Sequence, residues 1–188
     1  PVQVRNLGSL TSSDVSGTIA SDDRYVTILD GTESFGTLVG GATAWSQEDF
    51  DIELAPGAPN GHIVSLGLTL ESGAESWFSL IQFPVVAAAF RYVSPDHSCF
   101  GTQMDPGESG TLTVALLNEG DATGQSVSAT LVSGSTWVAV TDETGSFGSI
   151  GSGQTGSNGG DPFAISIAGD CFDGHIAPMA LELEFSDG

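Results

Sequence analysis

YVTILDGTESFGTL, residues 25–38, and WVAVTDETGSFGSI, residues 137–150, are two versions of one segment placed 112 positions apart. Tyr25 is matched by Trp137, Val26 by Val138, Asp30 by Asp142, and Phe35-Gly36 by Phe147-Gly148. In both, β-branched and aromatic residues alternate with small polar ones between Gly, Ser, Thr and Asp clusters, the composition of short strands joined by tight turns. The match extends outward on both sides. VQVRNLG at Val2 lies over VALLNEG at Val114, and SDVSGTI at Ser13 over QSVSATL at Gln125. From Val2–Leu38 to Val114–Ile150, 14 of 37 positions are identical. One residue is then gained in a Gly/Ser-rich loop and the offset becomes 113; nine of the 22 positions from Phe50 to Glu71 are identical to their partners. Agreement of this length, with its single shift in a loop, marks an internal duplication.

The duplication gives the shared residues a physical meaning. Ile63, Leu66, Leu68 and Leu70, like Ile176, Met179, Leu181 and Leu183, fall largely at every second position and predict one face of a half-buried strand. Asn6-x-Gly8 and Asn118-x-Gly120 end one strand and begin a turn, and Asn60-Gly61 and Asp173-Gly174 are turn dipeptides. Phe35-Gly36 and Phe147-Gly148 are expected to end a turn with a buried aromatic and a glycine at positive φ. Strands are predicted at Val2–Arg5, Val15–Ala20, Val26–Leu29, Phe50–Leu54, Ile63–Leu70 and Trp77–Pro84, with counterparts in the second copy for all but the last. Tyr25, Trp77 and Trp137 read as core.

The copies are out of phase. The first continues past Leu70 into SWFSLIQFPV, whereas the second reaches Ser186-Asp187-Gly188 before any equivalent strand. The second carries a leader from Ala88 through Tyr92 to Val114, and the first opens inside the end of the matching segment. The expectation is a window from a longer array, or a subunit completed by strands from its neighbours.

Charge narrows the partners. The 188 residues hold 24 acidic side chains against three arginines, Arg5, Arg24 and Arg91, for a net charge of −21. Such a chain repels nucleic acid and anionic lipid, so neither is an expected partner. The longest apolar stretch, Trp77–Val93, contains Gln82, Pro84 and Arg91 and reads as strand, not as a membrane span. No basic segment opens PVQVRN, so no signal peptide is visible.

Pro106-Gly107-Glu108-Ser109, the strand TLTVALLNEG, WVAVTD, GSFGSI and PFAISI together resemble the immunoglobulin-like, CARDB-like repeats of large secreted bacterial surface proteins, which also occur beside gingipain-like peptidase domains. The resemblance covers nearly the whole chain, once per copy. It implies an immunoglobulin-like sandwich module, and with the duplication the expectation is two antiparallel immunoglobulin-like β-sandwich modules in tandem, residues 1–86 without a leader strand and 87–188 without a closing strand. It implies a spacer, stalk, adhesion or assembly role outside the cell or at its surface, and supplies no catalytic residues.

Cys99 and Cys171 fall in the second copy and are expected to pair, a closure worth about 4 kcal/mol by loop entropy. Cys99 with His97 offers too few ligands for zinc. His62 and His175 are equivalent and follow a turn glycine, which suits holding a loop better than catalysis. No G-x-S-x-G, H-E-x-x-H or P-loop is present. Acidic groups such as Glu48-Asp49 with Asp51 read as solvated surface, so no cofactor is expected, with calcium as the outside alternative. Trp45 sits in a loop with no aromatic counterpart and reads as a surface contact.

The expectation is a non-catalytic extracellular structural module, a repeat unit of a stalk or filament whose partners are further copies or flanking repeats, head to tail. The alternative is a sugar-binding or spacer domain accessory to a secreted hydrolase or peptidase.

Overall fold

The computed structural model of the chain describes residues 1–96 and 104–187. It is all-β, with no helix among the described residues. It divides into two compact units, Pro1–Val85 and Val86–Gly188.

Unit 1 holds β1 (Gln3–Arg5), β2 (Ser12–Ala20), β3 (Val26–Asp30), β4 (Thr32–Leu38), β5 (Thr43–Trp45), β6 (Asp51–Leu54), β7 (Ile63–Ser72) and β8 (Glu75–Pro84). They form a four-stranded sheet ordered β4-β2-β7-β8 and two pairs, β1-β5 and β3-β6. Unit 2 holds β9 (Phe90–Asp96), β10 (Ser109–Asn118), β11 (Gly124–Ser133), β12 (Val138–Asp142), β13 (Thr144–Ile150), β14 (Thr155–Ser157), β15 (Phe163–Ile167) and β16 (Met179–Asp187). Here β12-β15-β10-β14 form one sheet, with β9 also paired to β10, and β13-β11-β16 form another. Both sheets contribute to one sandwich-like core: Val114 and Leu116 of β10, Phe163 and Ile165 of β15, Val127 and Leu131 of β11, and Phe147 and Ile150 of β13.

The duplication holds at the level of strand register. Val4 faces Ala44 as Leu116 faces Gly156, Thr18 faces Thr69 as Thr130 faces Glu182, and Val15 faces Gly36 as Val127 faces Gly148. Irregularities repeat too. In both units the ladder skips one residue beside Asp14 or Ser126, and these two carry φ of 50° and 51°.

Three sequence expectations need correction. Phe35-Gly36 and Phe147-Gly148 do not end a turn. They lie inside β4 and β13, where the glycines at φ 68° and 70° form a bulge that sends the preceding ring into the core. The Gly/Ser composition resembles a turn because a bulge needs the same left-handed residue. Trp77 is 45% exposed, not core, because β8 is an edge strand with its outer end uncovered. Trp137 is half-buried and packs against Phe172 and His175. Ile63 and Ile176 leave the apolar face they were expected to share; Val64, fully buried, takes the inward place.

Candidate interaction site

The Asn-x-Gly pairs form cradles at the ends of β1 and β10. Asn6 Nδ2 donates to the carbonyls of Leu10 and Leu38 at 2.8 and 3.0 Å. Asn118 Nδ2 donates to Ala122 and Ile150, the matching residues, at 2.8 and 2.9 Å. Each asparagine Oδ1 accepts the N–H of its own glycine, Gly8 at 2.9 Å and Gly120 at 3.0 Å. The short amide suits the place because one side chain supplies two donors and an acceptor, closing its own turn and tying it to the end of β4 or β13. Asn118 is fully buried and each of its polar atoms has a partner.

The histidines hold the turns that precede β3 and β12. His62 Nε2 lies 2.6 Å from Asp23 Oδ2, and His175 Nε2 lies 2.8 Å from Ser135 Oγ. Asp23 also accepts the Tyr25 N–H and Ser135 the Trp137 N–H, at 3.0 and 3.1 Å. Each imidazole meets the following aromatic edge to face, with centroids 5.0 Å apart in both units. The Tyr25 amide, with help from His62, holds the Asp23 carboxyl below the usual carboxylate range. The sequence showed the histidines but not their partners, since Asp23 and Ser135 differ in type. It missed a further pair for the same reason: Ser46 Oγ accepts the Val2 N–H, and the fully buried Asn158 Oδ1 accepts the Val114 N–H, at 3.0 and 2.7 Å.

The remaining candidates are scattered. Cys171 is half-buried at the Ala168–Phe172 turn, and Cys99 and His97 lie outside the described residues, so the expected Cys99–Cys171 bond does too. Among the described residues no three His, Cys, Asp or Glu side chains gather as metal ligands. Trp45 is 57% exposed on β5. Among the described residues no helix is long and apolar enough to cross a membrane.

Each unit has an open cleft among the described residues. In unit 1 it runs from Val4–Ser13 to Leu70, Ser72 and Trp77, with a volume of about 850 Å³. In unit 2 it lies among Val138, Ile165, Gly174, His175, Ala177 and Met179, with a volume of about 570 Å³.

No family model and no curated protein matches the chain. Among the solved structures similar to it are two at 12% identity each. One is the secreted serine protease VesC from Vibrio cholerae, matched over 98% of this chain and 46% of that one at a TM-score of 0.29. The other is a protein of unknown function from Porphyromonas gingivalis W83, matched over 83% of this chain and 69% of that one at a TM-score of 0.24. The chain therefore spans less than half the length of the protease it matches.

Proposed function

We propose that the chain is a non-catalytic structural and interaction module of two immunoglobulin-like β-sandwich units, a repeat unit of an extracellular stalk or filament assembled by strand complementation. The observation that carries this reading is an edge that one unit covers and the other leaves open. In unit 1, β8 pairs with β7 over ten positions, from Ile63 opposite Pro84 to Ser72 opposite Glu75. In unit 2 the matching strand, β16, pairs with β11 alone among the described residues. Leu66 of β7 is 6% exposed, whereas its counterpart Met179 is 36% exposed.

The cleft of unit 2 fits the same reading. Val85, just after β8, accepts the Gly61 N–H through its carbonyl and donates its own N–H to the His62 carbonyl, at 2.8 and 2.7 Å. The matching residues, Gly174 and His175, line the open cleft. An exposed sheet edge of this kind pairs with an incoming strand through main-chain bonds, and pockets select its side chains. Glu182 and Glu184 oppose self-pairing of β16, while the β8 pattern places the neutral Phe78 and Ser76 opposite the corresponding Thr69 and Glu71. The histidines support a non-catalytic role, because the partner changes from Asp23 to Ser135 while the turn they hold stays the same. The absence of lysine and the charge of −21 suit an extracellular setting.

Exposed Trp45 favours the second reading, an accessory sugar-binding or spacer domain of a secreted hydrolase or peptidase. The test is to titrate a peptide of residues 75–86 into the intact chain and follow hydrogen exchange of the β16 amides. Complementation predicts slowed exchange along Met179–Phe185. Unchanged exchange, with the chain monomeric by sedimentation at every concentration, would overturn it. Binding of an oligosaccharide that quenches Trp45 fluorescence, without such slowing, would establish the second reading instead.

A further inference from the structure

β8 ends the four-stranded sheet of unit 1, and its outer edge is unpaired among the described residues. Val85, just beyond it, turns both main-chain groups toward the β7 side: its carbonyl accepts the Gly61 N–H and its N–H donates to the His62 carbonyl. From Ile63 opposite Pro84 to Ser72 opposite Glu75 the ladder has no irregularity. Alternation along it therefore turns the main-chain groups of Trp77, Ser79, Ile81 and Phe83 toward β7, and those of Ser76, Phe78, Leu80 and Gln82 away from the sheet. Pro84 falls on the outward side and has no N–H, so the free row of donors stops at Gln82.

The two edges of this sheet differ. On β4, at the opposite edge, the Ser34 carbonyl accepts the Gln47 N–H and Glu33 Oε2 accepts the Glu48 N–H, both at 2.9 Å, and the bulge at Phe35-Gly36 breaks the ladder. Bulges, charges and covering segments are how sheets blunt an exposed edge. Between Ser76 and Phe83 β8 has neither charge nor bulge. Its face away from the core carries Phe78 and Leu80, 71% and 54% exposed. The Phe78 ring is drawn back over β7, where a Cβ on Gly67 would lie 2.8 Å from it. The ring thus covers its own sheet, on the side away from the outward-facing amides.

We propose that β8 is a self-pairing edge: two copies of the chain join antiparallel, β8 against β8, about a two-fold axis at Ser79. This register engages all the outward-facing residues, Ser76 with the partner's Gln82 and Phe78 with the partner's Leu80, and leaves Pro84 beyond the ladder. Trp77 lies beside the partner's Ile81 on one face. On the other, Phe78 and Leu80 of both copies join into one apolar strip. Charge selects the same occupant. At a net charge of −21, two copies repel wherever carboxylates face each other. Glu75 is the only ionised side chain of β8, and the antiparallel register puts the two Glu75 at opposite ends, about 27 Å apart. A basic partner finds no row of carboxylates on this strand to pair with. A two-fold contact needs one patch that complements itself, and β8 has that pattern. The contact is lateral and closes in pairs, so it does not rest on the head-to-tail assembly proposed above.

The experiment follows amide hydrogen exchange of the intact ¹⁵N-labelled chain as its concentration rises, with sedimentation alongside, in about 0.1 M sodium chloride. The Ser76, Phe78, Leu80 and Gln82 amides are expected to slow about tenfold or more as the dimer forms. Those of Trp77, Ser79, Ile81 and Phe83, already held by β7, change far less. Leu80→Pro removes an outward N–H and none that β7 uses. That chain should melt with the parent and dimerise about tenfold more weakly. A parent chain that stays monomeric at millimolar concentration, association that leaves the outward amides unchanged, or undiminished dimerisation by a Leu80→Pro chain that melts with the parent would each overturn the proposal. If Leu80→Pro fails to fold, the exchange pattern of the parent chain decides alone. Protection along Met179–Phe185 with none on β8 overturns this inference and leaves the assembly reading standing.

Discussion

Asp23 and Ser135 occupy the same place in the two units, and only one of them titrates. The Tyr25 amide and His62 hold the Asp23 carboxyl below its ordinary value. A carboxylate depressed in the folded state contributes stability that is fully present above the unfolded value, about 3.9, and is lost as pH falls through the folded value. The Asp23→Asn variant is therefore expected to be less stable than the parent above about pH 4 and to converge with it in more acidic solution. Urea unfolding followed by Tyr25 fluorescence at pH 7 and near pH 2 measures this. A stability gap that persists unchanged at the lower pH would show that the loss is one of packing. The equivalent change at Ser135 has no such pH dependence to remove. At this scale the sequence exposed the residues that keep their identity in both copies, Asn6 with Asn118 and His62 with His175. It concealed Ser46 with Asn158 and Asp23 with Ser135, because unlike side chains can supply the same acceptor oxygen to the same amide.

The bulges on β4 and β13 are the elements that sequence patterning resolved least well. Alternation predicted strands at Val15–Ala20 and Val26–Leu29, and β2 and β3 cover both. It did not predict β4 or β13, because the period of two breaks where Phe35 and Phe147 are the extra residue of a bulge. The second irregularity of each ladder places a non-glycine residue, Asp14 or Ser126, in the left-handed region. Serine tolerates that region less well than glycine. Ser126→Gly is expected to stabilise unit 2 by roughly 0.5–1 kcal/mol, read as a higher urea midpoint at unchanged slope. A lower midpoint would mean that the serine side chain contributes more than its backbone strain costs. The strands β8 and β9 were legible as apolar segments outside the matched copies. The leader's contacts with Asn118 were not, since they run through the main chain.

Across the whole molecule, 24 acidic side chains against three arginines produce self-repulsion that no local pairing removes. Salt screens such repulsion over about 10 Å at 0.1 M. Raising sodium chloride from a few millimolar to that concentration is expected to raise the melting temperature by on the order of 5 °C. A flat response would mean that the carboxylates are already spaced beyond each other's reach. The same screening governs whether two such acidic bodies can approach, so strand exchange between copies is expected to follow salt in the same direction. The β7–β8 ladder has a further consequence when force is considered. Ten register pairs between parallel axes resist sliding together, whereas they yield one after another if the strand is peeled from its end. The β1–β5 pairing, of only three register pairs, has no such reserve. Under tension applied along the strands, unit 1 therefore tears first at β1.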